Sequence, residues 1–195
     1  MTNGASRIVT ALTPVVSALE QLEVAYYVGG SVASSAYGIL RATFDVDIVA
    51  EIRQEHVSSL VRLLEGNYYV DYDAIRNAIR LKSSVSIIYL DTMTKIDIFI
   101  PKDRAFAQVE RSRIREEILV EGTPAFVLSS PEDIVINKLE WYKMKKGVSD
   151  TQWNDILGVL KVQETNLDFA YMLQWAETLG VDELLQRALT DAGLS

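Results

Sequence analysis

From residue 6 to 22, apolar side chains recur at helical spacing (Ile8, Leu12, Val15, Val16, Leu19), which predicts an amphipathic first helix. The stretch "VAYYV" at 24–28 reads instead as a short apolar strand running into Gly29-Gly30-Ser31, with a short helix expected over 32–39. "FDVDIVA" over 44–50 alternates as a strand does, and 53–65 reads as a helix stopped at Gly66. A weak strand near 68–70 and a short helical turn near 73–80 follow. "SVSIIYL" (84–90) and "KIDIFIP" (95–101) are strong strands, joined by "DTMT" as a hairpin. A short helix near 103–110 and a strand pair near 116–128 complete this mixed half.

From Ser130 the texture changes. "SPEDIVINKLEWYKMKK" opens with Ser at the N-cap, Pro at the first helical position and Asp133 three residues after the cap. Helices are then expected over 150–161, 167–179 and 181–192. The pattern predicts an α/β (α+β) unit, a mixed sheet flanked by helices, over residues 1–129, and a small helical bundle over 130–195.

Composition narrows the field. The 195 residues are 49% hydrophobic and 24% charged, enough apolar content for an ordinary globular core. The net charge of −8 is unsuited to wrapping long duplexes, which are gripped by lysine and arginine. With no cysteine, neither disulfides nor cysteine zinc sites or nucleophiles can form. No apolar run approaches ~18 residues and the first residues lack a basic leader, so the expectation is a cytoplasmic protein with no membrane partner.

The strand at 44–50 poses the chemical question. Side chains alternate, so Asp45 and Asp47 share one face while Phe44, Val46 and Ile48 take the other. Two like charges this close resist ionising together unless a cation offsets them. Mg2+ (or Mn2+) suits the role, being oxygen-seeking and held by one or two carboxylates plus substrate phosphates. In "KIDIFIP" the isoleucines point one way and Asp97 the other. If the two strands are neighbours, three carboxylates converge as a two-metal site needs. Singly, each aspartate reads equally well as a solvated residue on a sheet face. Gly29, Gly30 and Ser31 suit close backbone approach and aim amides at an anion, though a tight strand–helix turn has the same composition.

The stretch "GGSVASSAYGILRATFDVDI" with the later "KIDIF" resembles the nucleotidyltransferase superfamily typified by DNA polymerase β. The resemblance is closest to small bacterial AbiEii-type toxin nucleotidyltransferases, which carry an Arg before Asp-x-Asp and a later Asp-x4-Lys on a helix. Here these are Arg41 and, in "DIVINK", Asp133 and Lys138. It covers residues 24 to about 145 and does not extend over the last 45 or so residues. It implies transfer of a nucleotidyl group from a nucleoside triphosphate to an acceptor, with pyrophosphate leaving. Gly29, Gly30 and Ser31 would hold the triphosphate, and Asp45 and Asp47 the metals. Asp97 would hold the second metal or activate the acceptor hydroxyl, and Arg41 and Lys138 would neutralise phosphate charge. The toxin-like relatives suggest an RNA (tRNA) acceptor and a cognate antitoxin partner. Two other readings stay open: a catalytically silent nucleotide-binding or regulatory module, and an enzyme modifying small molecules of the aminoglycoside type.

Lys138 also stands out on its own. Its neighbours at helical spacing are Ile134, Val135, Trp141 and Tyr142, so it must snorkel out or meet an anion. Asp133 is explained either by the cap or by the site. The only histidine, His56, sits on a charged helix and reads as a surface residue, which leaves no Ser-His-Asp triad. The basic stretches "RSRIR" (111–115) and "KMKK" (143–146) read as solvated faces, with contact to a polyanionic acceptor as the alternative. Trp141, Tyr142, Trp153, Tyr171 and Trp175 read as core of the helical part.

Overall fold

A computed structural model describes residues 2–43, 45–145, 147 and 149–194. Phe44, expected on the apolar face of its strand, and Lys146 of the basic "KMKK" stretch lie outside the described residues.

The alternating segments form one mixed sheet. Its strands are β1 (Tyr26–Val28), β2 (Asp45–Ala50), β3 (Tyr68–Tyr69), β4 (Ser84–Tyr89), β5 (Thr94–Phe99), β6 (Arg115–Glu117) and β7 (Phe126–Leu128). They run in the order β3-β4-β5-β2-β1-β7-β6. β2 lies centrally, antiparallel to β1 and parallel to β5, while β4 pairs antiparallel with the other edge of β5. One face carries Val46, Ile48, Ile96, Ile98 and Ile87, all fully buried. Burying each contributes about 1.5–3 kcal/mol relative to exposure. The helices on that side are α1 (Thr2–Gln21), α3 (Val57–Leu64) and α4 (Tyr72–Leu81). The stripe of α1 read from the sequence (Ile8, Leu12, Val15, Val16, Leu19) is buried as expected.

The remaining helices are α2 (Gly30–Tyr37), α5 (Ala105–Ser112), α6 (Pro131–Met144), α7 (Asp150–Gln163), α8 (Phe169–Leu179) and α9 (Asp182–Ala192). Past β7 the elements among the described residues are all helical. α2 packs on β2, and α6 and α7 pack on α2, with α8 and α9 outside them. One apolar core runs from Ile8 through the sheet to Leu189.

Three local differences from the pattern reading have physical causes. The stretch near 73–80 is a full ten-residue helix, because Asp71 Oδ1 caps it by accepting the Ala74 amide at 2.8 Å. The helix expected from 53 opens as a tighter turn over Gln54–His56 before α3 begins. Gly30 and Ser31 are not a loop ahead of a helix. They are its first two residues, with Gly29 as N-cap and the Ala33 amide donating to the Gly29 carbonyl. Among the described residues, no helix is long and apolar enough to cross a membrane.

Candidate active site

The carboxylate face is made by strand register. β2 and β5 pair so that Asp47 lies opposite Asp97, and Asp45 opposite Lys95. The adjacency on which a shared site depends is therefore present. Asp97 Oδ1 accepts the Ser86 hydroxyl from β4 at 2.5 Å, and its Oδ2 accepts Lys95 Nζ at 2.8 Å. Lys95 also stands 3.9 Å from Asp45, whose side chain is largely exposed.

Asp47 lies deeper than Asp45. Burial, then the negative charges of Asp97 and Asp45, push its carboxyl above the usual range, with Lys138 and Lys95 pulling the other way. As it stands, the site therefore disfavours the charged form of this carboxyl. Gly30 explains how the helix start comes so close to it. Its φ is +55°, and a Cβ there would fall 1.7 Å from Asp47 Oδ2. Only glycine lets the first turn of α2 sit against this carboxylate.

Above the helix start lies a second layer. Arg41 donates through Nε to Asp155 Oδ1 at 2.7 Å and through a terminal nitrogen to Asp155 Oδ2 at 2.9 Å, and that nitrogen also bonds the Ser31 hydroxyl. Lys138 Nζ donates to Asp155 Oδ2 and to Gln152 Oε1, each at 2.8 Å. Of the two fates open to Lys138, snorkelling is the one not taken: the residue is only 5% exposed and meets a protein carboxylate. Burial pulls its ammonium pKa down, against its hydrogen bond to Asp155 and that residue's negative charge. Burial also works to raise Asp155, yet the hydrogen bonds from Arg41 and Lys138 outweigh it and hold that carboxyl below its usual range. Arg41 is raised by its bond to Asp155. One carboxylate thus ties α2, α6 and α7 together.

The sequence reading passed over Asp155 and Gln152, although the argument applied to Lys138 would have found one of them. Asp155 falls among Trp153, Ile156, Val159 and Leu160, all buried, and a lone charge in such a stripe needs a counter-charge. Ser86 and Lys95 carried no such signal, since alternation places any polar residue on an open sheet face.

Other candidates are accounted for elsewhere. Asp133 is fully buried: its amide is capped by Ser130, whose hydroxyl also donates to Oδ2 at 2.6 Å, and Oδ1 accepts the Tyr171 hydroxyl. In "RSRIR", Arg111 pairs with Glu51, while Arg113 and Arg115 reach the buried Glu132 at 3.4 and 3.5 Å. Arg113 also stacks on the Tyr171 ring. Two of these three arginines neutralise a buried acid and are not a free polyanion patch. In "KMKK", Lys143 donates to the Gly180 carbonyl. Tyr142 and Trp153 pack ring to ring in the core as expected, but Trp141 is 46% exposed. The His56 ring accepts the Arg53 amide, a local turn contact.

Among the described residues, no three carboxylate or imidazole groups gather into a ready-made metal site. What the face offers is the Asp47–Asp97 pair with exposed Asp45 beside it, three carboxylates along two paired strands. That donor set fits a hard cation shared with a substrate's phosphates, as Mg2+ is commonly held.

No family model matches the chain, and no curated protein matches it. Solved structures do. The antibiotic-resistance factor ANT(2'')-Ia superposes in its solution structure with a TM-score of 0.57 at 15% identity, covering 95% of each chain. The same factor in complex with adenylyl-2''-tobramycin gives 0.58 at 14% identity, over 88% of this chain and 95% of that one. An antigenic nucleotidyltransferase-like protein from Paracoccidioides brasiliensis gives 0.55 at 16% identity, over 97% and 93%. The chain therefore has the nucleotidyltransferase fold, as the motif reading expected.

Proposed function

We propose that the protein is a nucleotidyltransferase that moves a nucleoside monophosphate from a nucleoside triphosphate to an acceptor hydroxyl. The observation that carries this reading is the register pairing of Asp47 with Asp97 beside the Gly30–Ser31 helix start, with Lys138 close enough to act on Asp47 electrostatically. Phosphoryl transfer asks a protein mainly to position its reactants and to neutralise charge. The first amides of α2 would meet the phosphates of the triphosphate. Arg41 and Lys138 supply positive charge beside them, and Asp155 keeps both side chains oriented. Asp47, Asp45 and Asp97 would hold Mg2+ or Mn2+ together with the triphosphate. Such an ion, when bound, neutralises phosphate charge and polarises the phosphorus that is attacked. Asp97 would take the proton of the acceptor hydroxyl.

The acceptor is best read as a small hydroxylated molecule. The chain carries −8 overall, and Arg113 and Arg115 pair with the buried Glu132, which argues against a dedicated basic surface for an RNA backbone. The ANT(2'')-Ia complex contains an adenylylated aminoglycoside, an acceptor of that class. The test is a grid of the four labelled ribonucleoside triphosphates with Mg2+ against aminoglycosides, tRNA and protein acceptors. Label should move to a small hydroxylated acceptor, and Asp97→Asn should cut transfer by ~10²-fold or more. Transfer to tRNA would restore the toxin-like reading with its antitoxin partner. Nucleotide binding without transfer to any acceptor would leave a silent binding module.

A further inference from the structure

The Ser86 hydroxyl contacts Asp97, the carboxylate read above as the one that would activate an acceptor hydroxyl. β4 and β5 are antiparallel, and Ser86 is the direct register partner of Asp97. Such opposed residues have Cβ atoms about 4.5–5.5 Å apart, so backbone pairing alone keeps the hydroxyl within reach of the carboxylate. The contact is made, with Ser86 Oγ donating to Asp97 Oδ1 at 2.5 Å. Lys95 occupies the other oxygen, Oδ2, at 2.8 Å, so Oδ1 is the oxygen turned toward the serine. Ser86 is exposed, and a substrate on the carboxylate face can approach it. Ser84 is also exposed and on the same face, but it pairs opposite Phe99, one repeat further along the strand.

We propose that Ser86 is a site of self-modification, at which the protein transfers a nucleoside monophosphate from its own bound triphosphate onto the Ser86 hydroxyl when no external acceptor is present. The proposal rests on the transfer reading given above. Ser86 Oγ attacks the α-phosphorus, and its proton passes to Asp97 Oδ1 and then to solvent. The new Oγ–P bond forms as the bond from the α-phosphorus to the bridging oxygen breaks, and pyrophosphate leaves with that oxygen and its electron pair. The product is a serine phosphodiester beside Asp97. It places a bulky anion on the rim where acceptors must enter, so modified protein is closed to further transfer.

The experiment incubates purified protein with labelled ATP, CTP, GTP or UTP and Mg2+ without acceptor. It reads intact mass, the modified peptide and pyrophosphate release. Parallel samples carry the acceptor panel, and wild type is compared with Ser86→Ala and Ser84→Ala. The expected result is one nucleoside monophosphate per chain on the peptide holding residues 84–89, lost in Ser86→Ala and retained in Ser84→Ala. If wild type transfers to an added acceptor but gains no adduct at Ser86, the self-modification is overturned and the transfer reading stands. An adduct that persists in Ser86→Ala overturns it equally. If neither adduct nor pyrophosphate forms under any condition, the transfer reading itself falls and takes this proposal with it.

Discussion

Lys138 on α6 and Asp155 on α7 meet at 2.8 Å inside the protein, with side chains 6% and 5% exposed. Arg41 grips the same carboxylate from the loop after α2. Read from its helix alone, Lys138 is an isolated charge in an apolar stripe, where methionine would be tolerated or even stabilising. The structure reverses that expectation, because the lysine is one of two cations satisfying a buried acid.

Lys138→Met should therefore destabilise the fold. It removes a charged hydrogen bond from a buried carboxylate that keeps only Arg41, at a cost of about 1–3 kcal/mol. For a chain of this size, each kcal/mol lowers the melting temperature by roughly 2–4 °C. If Lys138 also meets the triphosphate, nucleotide binding weakens by ~1–3 kcal/mol in the same variant. Melting and titration calorimetry at matched salt separate the two effects. A lower melting temperature with unchanged affinity would make Lys138 a purely structural residue.

Gly30→Ala tests the approach of α2 to Asp47. Alanine at φ +55° is strained by roughly 1–2 kcal/mol, and its Cβ would collide with Asp47 Oδ2. The carboxylate must swing aside, so nucleotide affinity measured with Mg2+ should fall about 10-fold or more while the far-ultraviolet dichroism stays that of wild type. Affinity equal to wild type would mean that the position of Asp47 does not matter for binding.

Triphosphate binding should depend on divalent metal. Asp45, Asp47 and Asp97 set like-charged carboxylates along two paired strands, so the face repels a polyphosphate until a cation arrives. Calorimetric titration of nucleotide should give tight binding with Mg2+ or Mn2+ and weak binding in EDTA. Equal affinities would exclude these carboxylates as a shared metal site.

Glu110 should make stability pH-dependent. It is buried, accepting Ser129 Oγ at 3.1 Å and Asn137 Nδ2 at 2.7 Å, and burial followed by the Asp133 charge pushes its carboxyl up to about 7. The folded protein then holds a proton that the unfolded chain releases near ~4.3. Between those values the native state binds more protons, so this contribution is complete below ~4.3 and is lost as pH rises through about 7. The slope is at most about 1.4 kcal/mol per pH unit. Denaturant titrations from pH 4.5 to 7.5 should show wild type losing stability along this interval and Glu110→Gln giving a flatter profile. Parallel profiles would show that Glu110 does not titrate there.

What the sequence determined by itself follows from backbone geometry that repeats locally. Strand alternation alone put Asp45 and Asp47 on one face and Val46 and Ile48 on the other, and helical spacing marked the buried stripe of α1. Capping chemistry placed the start of α6 at Ser130 and Pro131. The nucleotidyltransferase fold was legible because most of its motif, "GGSVASSAYGILRATFDVDI", lies in one stretch whose elements are neighbours in space. Tertiary structure decided the partners. Whether Asp97 stands beside Asp47 depends on which strand β5 pairs with, and no periodicity within "KIDIFIP" encodes that. The anion met by Lys138 is 17 residues away, on the next helix, and Arg41 reaches the same carboxylate across 114. Arg113 and Arg115 read as a basic surface until folding buries Glu132 beside them. Trp141 reads as core until the packing of α6 turns it toward solvent. Local pattern says which face of an element is apolar, but only the packed molecule says what that face meets, because a buried charge is satisfied by whichever opposite charge the chain brings back to it.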